Sequence, residues 1–364
     1  MNPRLLIAAG LAGLLGACAS APRDTLPATP TAAPTPVTVP EAYISADVPA
    51  EELDSLATWP TEDGNTWLIA TGKSSHRLVV FDADTGEELR TFGEEGAGPG
   101  QFKRPNGLAV QGDYLFVVER DNHRVQVLTL PDFRTIGTFG DQVLRSPYGI
   151  WLTEKEPGEF DVYVTDSFMY GKKYDVVPPF GELNQRVRRF RVAFDQDGAL
   201  RAQYAGSFGD THEDTALRMV ESIAGDPEND RMLIADEDRR HLSTLREYTF
   251  SGKFTGRSLP QDAFGAEAEG VVLWTCPDGS GYWIAVDQLA PLTIFHLFDR
   301  VTLKPVGSFQ GAKTARTDGV ALHAAAMAGF PGGALFAQSD DKAVTAFDLR
   351  DVASSLGLKQ GCTE

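Results

Sequence analysis

The chain has 364 residues with 51 acidic and 33 basic side chains, a formal net charge of −18. A hydrophobic fraction of 42% can fill a sizeable core, so wholesale disorder is excluded, and the length suits two ordinary domains or one large β architecture. The acid excess excludes nucleic acid and anionic lipid surfaces as partners and leaves cations, or substrates bound with cations.

The first seventeen residues read as a targeting segment. Arg4 supplies a positive start and Leu5 to Leu15 an apolar run too short to span a membrane as a mature helix. The run closes with Leu15-Gly16-Ala17-Cys18, which resembles the bacterial lipobox, so lipidation is expected at Cys18 after cleavage. Ala19 and Ser20 lack an acidic retention signal, and an outer-membrane anchor facing the periplasm is expected. The stretch 21–40 is rich in Pro, Thr and Ala and reads as an extended tether. The expected layout is a signal at 1–17, a lipidated Cys and tether over 18–45, one folded domain over 46–358 and a tail at 359–364. Cys276 and Cys362 would meet an oxidising compartment, where they either pair or remain isolated thiols; neither sits in a CxxC pattern that would suggest zinc.

From Glu51 onward, short β-rich runs alternate with Gly, Asp, Asn and Pro turns. Stacking the runs uncovers a repeated element of one polar residue, one small residue and an apolar strand. Its copies begin at Asp54, Asn106, Tyr148, Glu221, Glu269 and Asp318, spaced by 52, 42, 73, 48 and 49 residues. Such spacings fit blades of four short strands, with an insertion around Met169 to Asn184 in the long gap. The predicted fold is all-β, a single six-bladed β-propeller.

In a propeller the first strand of each blade lines the central channel, so the six polar residues form one ring. Four of them are carboxylates, and Glu267 precedes Glu269 by two residues on the same predicted strand face. Carboxylates crowded at a channel mouth must protonate or share cations. An all-oxygen set without His or Cys favours a hard cation, Ca²⁺ before Mg²⁺. A second ring is read at the loop after the next strand: Lys73, Arg120, Ser167, Glu237, Gln288 and Asp340. It is cationic in blades 1 and 2 and acidic or amide-bearing in blades 4 to 6. Both rings together suit a substrate carrying several phosphates. The six His residues are dispersed, His76 and His123 reading as loop residues; no GxSxG elbow supports a hydrolase triad. The glycine-rich stretch 93–107 has no following helix and reads as a flexible loop, not a nucleotide cradle.

The segment GPGQFKRPNGLAV…LFVVERDNHRVQVL resembles an NHL-type propeller blade. A longer resemblance, over Leu53 to Leu358, is to the β-propeller phytases, calcium-dependent enzymes that hydrolyse phytate. It is carried by EGVVLWTCPDGSGYWIAVDQ, TIFHLFDRVTLKPVGSF, TDGVAL and GFPGGALFAQSDD, in the family's order. Arg104-Pro105-Asn106-Gly107 and Pro147-Tyr148-Gly149 resemble two further motifs. The resemblance implies that Tyr148, Glu221, Glu237, Glu267, Glu269, Gln288 and Asp318, with Asp54 of the first ring, surround several Ca²⁺ ions. Glu221, Glu269 and Tyr148 would be catalytic, and Lys73 and Arg120 would hold phosphate. The sequence departs from the family at Ser55, Gly107, Ser167 and Ala346, where ligand or phosphate-binding types are expected, and Lys172 and Lys173 can compensate. The expected function is phosphate release from phytate or a related ester by a monomer touching membrane only through its anchor. The alternatives are a non-catalytic propeller binding a periplasmic protein or glycan, and a calcium-dependent lactonase, which would need a His near the ring.

Overall fold

The computed structural model describes residues 35–195 and 197–363. Cys18, the signal and most of the expected tether lie outside the described residues.

Six antiparallel sheets follow one another along the chain. In blades 1 to 5 four consecutive strands run from the centre outward; blade 1, for example, comprises Leu53–Pro60, Thr66–Gly72, Arg77–Asp82 and Glu88–Phe92. The inner and middle strands are short and apolar with many β-branched residues, and Gly-containing turns close several of the hairpins, as at Gly64, Gly86 and Gly112. Both faces of the middle strands are buried, so they read as continuous apolar runs such as Leu78-Val79-Val80-Phe81. In blade 1, Leu68, Ala70, Val79 and Phe81 pack against blade 6, while Ile69, Leu78 and Val80 pack against blade 2. The core is therefore divided into six clusters, one at each junction between neighbouring blades.

The ring is closed from both ends of the chain. Blade 6 takes its three inner strands from Val320–His323, Ala334–Ser339 and Ala343–Asp348, and its outermost strand, Tyr43–Ile44, from the N-terminal side. Val37–Thr38 adds a fifth, parallel strand to blade 5. The Glu41 carboxylate accepts the backbone N–H groups of Ala312, Lys313 and Thr314 and the Thr314 hydroxyl, fixing the incoming segment. The tether expected to run through residue 45 therefore ends earlier, because residues from 37 onward are strands of the propeller. At the other end, the helix Leu349–Leu356 covers the junction of blades 5 and 6, and a disulfide joins Cys362 to Cys276.

The glycine-rich stretch 93–107, expected to be a flexible loop, is pinned instead. Arg124 donates to the carbonyls of Ala97 and Gln101, Asn122 to that of Gly96, and Gly100 N–H to the Gln126 amide oxygen. The buried Glu119 carboxylate holds Arg124 in turn.

Candidate functional site

The polar-small-apolar repeat has a physical cause. In five blades the inner strand shifts register by a bulge at this position, so two residues face one on the second strand. The bulge presses the small residue against the next blade. A Cβ at Gly107, Gly149, Gly270 or Gly319 would run into the carbonyl oxygen of Tyr148, Glu221, Asp318 or Asp54, respectively. Threonine hydroxyls of second strands join the blades at two of these positions: Thr71 Oγ1 accepts from Ser55 N–H and donates to the Asn106 carbonyl, and Thr165 Oγ1 accepts from Gly149 N–H and donates to the Glu221 carbonyl. Residues Ser55, Gly107, Gly149, Ser222, Gly270 and Gly319, with the apolar residue after each, line a narrow central neck of about 70 Å³. The polar residue before each small one faces the channel mouth.

Within that mouth, Glu221 and Glu269 of the first ring meet Glu237 of the second, with carboxylate oxygens of all three within 4.8 Å of one another. Glu237 and Glu269 are buried and Glu221 is partly so. One oxygen each of Glu237 and Glu269, and the Asn106 amide oxygen, are buried with no hydrogen-bond partner among the described residues. Burial, with the Asp54 and Asp318 charges behind it, pushes the Glu221 carboxyl up to about 8. Burial and the other two carboxylates raise Glu237 well above the usual range, and burial with Glu221 and Asp318 does the same to Glu269. The Tyr148 hydroxyl is raised by burial and by Glu221, so it remains protonated. Three acids this close hold their protons or need a cation among them.

Opposite the trio lies a second cluster, in which one ammonium meets several carboxylates. The Lys73 ammonium sits 3.1 Å from Asp318 Oδ2 and 3.4 Å from Asp54 Oδ1, with Asp341 at 3.8 Å. Burial alone would lower Lys73, but these carboxylates outweigh it and keep it charged. Asp318 is pushed up to about 7, by burial and by Asp54, against the pull of Lys73. The Asn106 amide donates to Asp54 at 2.7 Å, and the Gln288 amide donates to Asp318. Lys73, expected to be a phosphate-binding cation, is thus already engaged: its charge compensates ring carboxylates.

Other expected members separate from the cluster. Glu267 pairs with Arg239 at 3.7 Å and lies outside the trio. Asp340 pairs with Arg316, and its neighbour Asp341 is the residue near Lys73. Ala346 is packed in the core between blades 6 and 1.

Arg120 lines a cleft of about 620 Å³ beside the trio, together with Ser167, Tyr148 and Glu221. The cleft also contains residues that the repeat did not single out for the site: Lys103, Asp121, His123, Arg145, Ser146, Phe168, Met169, Tyr174 and Met219. Arg145 and Lys103 lie in the segments that descend into the inner strands, one step away from the two rings. Those segments are held by a further column of acids. Glu119 accepts from Lys103 N–H, Asp166 from Arg145 and Ser146, Asp236 from Arg218 and Met219, and Asp287 from Gly265 and Ala266. Each of these acids immediately precedes a second-ring residue. They set the entry path of the inner strand and so position both rings. Lys172 and Lys173 are exposed on the blade 3 insertion and do not line the cleft.

No protein-family model matches the chain, and no curated protein matches it either. Solved structures of propellers do resemble it. Hydrazine synthase of Kuenenia stuttgartiensis is 14% identical, with a TM-score of 0.46, over 87% of this chain and 82% of that one. A catalytically inactive variant of virginiamycin B lyase from Staphylococcus aureus, with quinupristin, is 13% identical, with a TM-score of 0.47, over 84% and 99%. A chain of a nidogen/laminin complex is 15% identical, with a TM-score of 0.49, over 75% and 86%. The class defined by this chain's own strands is a six-bladed β-propeller with an acidic channel mouth.

Proposed function

We propose that the protein is a phosphomonoesterase of the phytase type that works with Ca²⁺ held at the channel mouth. The observation that carries this reading is the position of Glu221. It belongs both to the acid trio and to the wall of a cleft bearing Lys103, Arg120 and Arg145. A cation-seeking cluster and an anion-seeking wall thus share one cavity, as a metal-assisted reaction on a phosphate ester requires.

The donor set suits the ion. Glu221, Glu237 and Glu269 offer only oxygen, and two of their buried oxygens lack a partner. Tyr148 stands beside Glu221 in the wall of the cleft. Bound there, Ca²⁺ supplies Lewis acidity toward the phosphoryl oxygens and makes water a better nucleophile. The chain's own groups do the rest. Arg120, Arg145 and Lys103 bind and orient the phosphoryl group. The protonated Tyr148 hydroxyl donates to one of its oxygens. A carboxylate of the trio takes the proton of the attacking water as its oxygen bonds to phosphorus and the ester P–O bond breaks. That proton then passes to the departing alkoxide, leaving alcohol and inorganic phosphate.

The disulfide between Cys276 and Cys362 suits an oxidising compartment and so supports the export part of the accompanying proposal, a lipoprotein anchored through Cys18 at the outer membrane. The test is inorganic phosphate release from calcium phytate and simple phosphate monoesters, with calcium or with chelator, for the wild type and Glu269→Gln. Release that needs calcium and falls at least a hundredfold in the variant is expected. No release from any ester would favour the non-catalytic propeller, and equal release in all conditions would sink the calcium mechanism.

A further inference from the structure

We infer that the cleft takes phosphate monoesters whose organic part is a flat aromatic group, seated against the insertion of blade 3. The inference rests on the phosphomonoesterase reading and narrows its substrate class.

The cationic wall is sized for one phosphoryl group. Arg120 is paired with Asp121 at 2.8 Å and Arg145 with Glu182 at 3.6 Å, while no carboxylate among the described residues lies within ion-pair distance of Lys103. Lys73 is withdrawn into its own carboxylate cluster, and blade 3 offers Ser167 at the equivalent second-ring position. The side-chain cations of the wall match a single phosphate dianion; the further charge of a polyphosphorylated ring would have to be carried by calcium.

Beside the cations the cleft wall is apolar and aromatic. Phe168, Met169, Tyr174 and Met219 line it. The guanidinium groups of Arg145 and Arg186 both lie over the buried Phe168 ring, at 3.7 and 4.7 Å from its centroid, which stiffens the base of this wall. Buried Arg186 also donates to the carbonyls of Phe168, Leu217 and Arg218, tying the insertion to blade 4. Tyr174 stands at the tip of a turn closed by pairing between Tyr170 and Val176, and it is 77% exposed. Its backbone is left-handed (φ 54°), an unusual conformation for a bulky residue. A large ring is therefore presented to solvent at the edge of a cleft that also holds the Met219 thioether and the Met169 side chain, whose sulfur accepts from Arg186. Thioethers and aromatic faces attract flat π systems and offer nothing to the hydroxyl or phosphate oxygens of a cyclitol.

The test is calorimetric binding to the full chain, in calcium, of phenylphosphonate and methylphosphonate, which carry the same anion and cannot be hydrolysed as esters. Phenylphosphonate is expected to bind roughly tenfold tighter. Tyr174→Phe should keep that ratio and Tyr174→Ala should bring it close to one. Equal affinity of the wild type for the two phosphonates would overturn the aromatic subsite while leaving the phosphomonoesterase reading intact. Binding of neither would overturn both. Because the decisive ratio is measured on the wild type, a variant that fails to fold does not shield the inference.

Discussion

Raising the pH of the metal-free protein from 5 to 8 is expected to weaken it, and calcium is expected to restore it. Glu221 is pushed up to about 8 and Asp318 up to about 7, and Glu237 and Glu269 are raised with them. In the unfolded chain such carboxyls titrate near 4. A carboxyl with a raised folded pKa binds its proton more tightly in the folded state. Its stabilising contribution is complete below the unfolded pKa and is lost as pH rises through the folded one. Groups shifted the other way, such as Glu51 beside Arg77, gain their contribution below pH 5 and leave this window clear. For Glu221 alone, at about 1.4 kcal/mol per pH unit, the loss by pH 7 is about 3 kcal/mol. Geometry gives the same scale: two charged carboxylates 4.8 Å apart repel by about 3 kcal/mol at an effective dielectric constant near 20. The trio titrates as a unit, so these terms overlap and do not sum. Urea unfolding at pH 5 and pH 8, with chelator or with calcium, measures the effect. The chelated wild type should lose several kcal/mol, and calcium at about a hundred times its Kd should return about 2.7 kcal/mol at pH 8. Glu269→Gln should flatten the pH slope and blunt the calcium response. A chelated wild type as stable at pH 8 as at pH 5, or indifferent to calcium at pH 8, would refute the reasoning.

Three other outcomes test the scaffold that positions the site. Gly149→Ala should cost about 1–3 kcal/mol, because its Cβ meets the Glu221 carbonyl oxygen, whereas Gly181→Ala, with open space around it, should cost little in the same melt. Cys362→Ser should cost about 2–4 kcal/mol, since the bond closes a separation of 86 residues, and should be visible as a lower melting temperature under non-reducing conditions. Glu41→Ala removes the acceptor of three backbone N–H groups and should cost about 1–3 kcal/mol, with limited proteolysis cutting first near residues 37–48.

The fold was legible because blade packing forces a pattern on the chain. A bulge followed by close inter-blade contact demands a polar residue, then a small one, then an apolar strand, and this leaves a mark at Asn106-Gly107-Leu108 as clearly as at Glu269-Gly270-Val271. The trio was legible for the same reason, since Glu221, Glu237 and Glu269 each occupy a repeat position. The strands Val37–Thr38 and Tyr43–Ile44 were not legible, because two residues carry no periodicity and their partners lie in blades 5 and 6. Nor was the capture of Lys73, which depends on Asp318, 245 residues away, approaching to 3.1 Å. Acids at the ends of second strands, such as Asp166 and Asp236, carry no sign in the sequence of whether they hold backbone N–H groups or a metal. Only the hydrogen bonds from Ser146 and Met219 separate those roles.

Calcium titration of the chelator-stripped full chain by calorimetry tests the central claim most directly. Wild type should take up calcium with release of protons near pH 7, and Glu221→Gln, Glu237→Gln and Glu269→Gln should each weaken that uptake at least tenfold. Uptake unchanged in all three variants, or none in the wild type, would contradict a calcium site at the channel mouth.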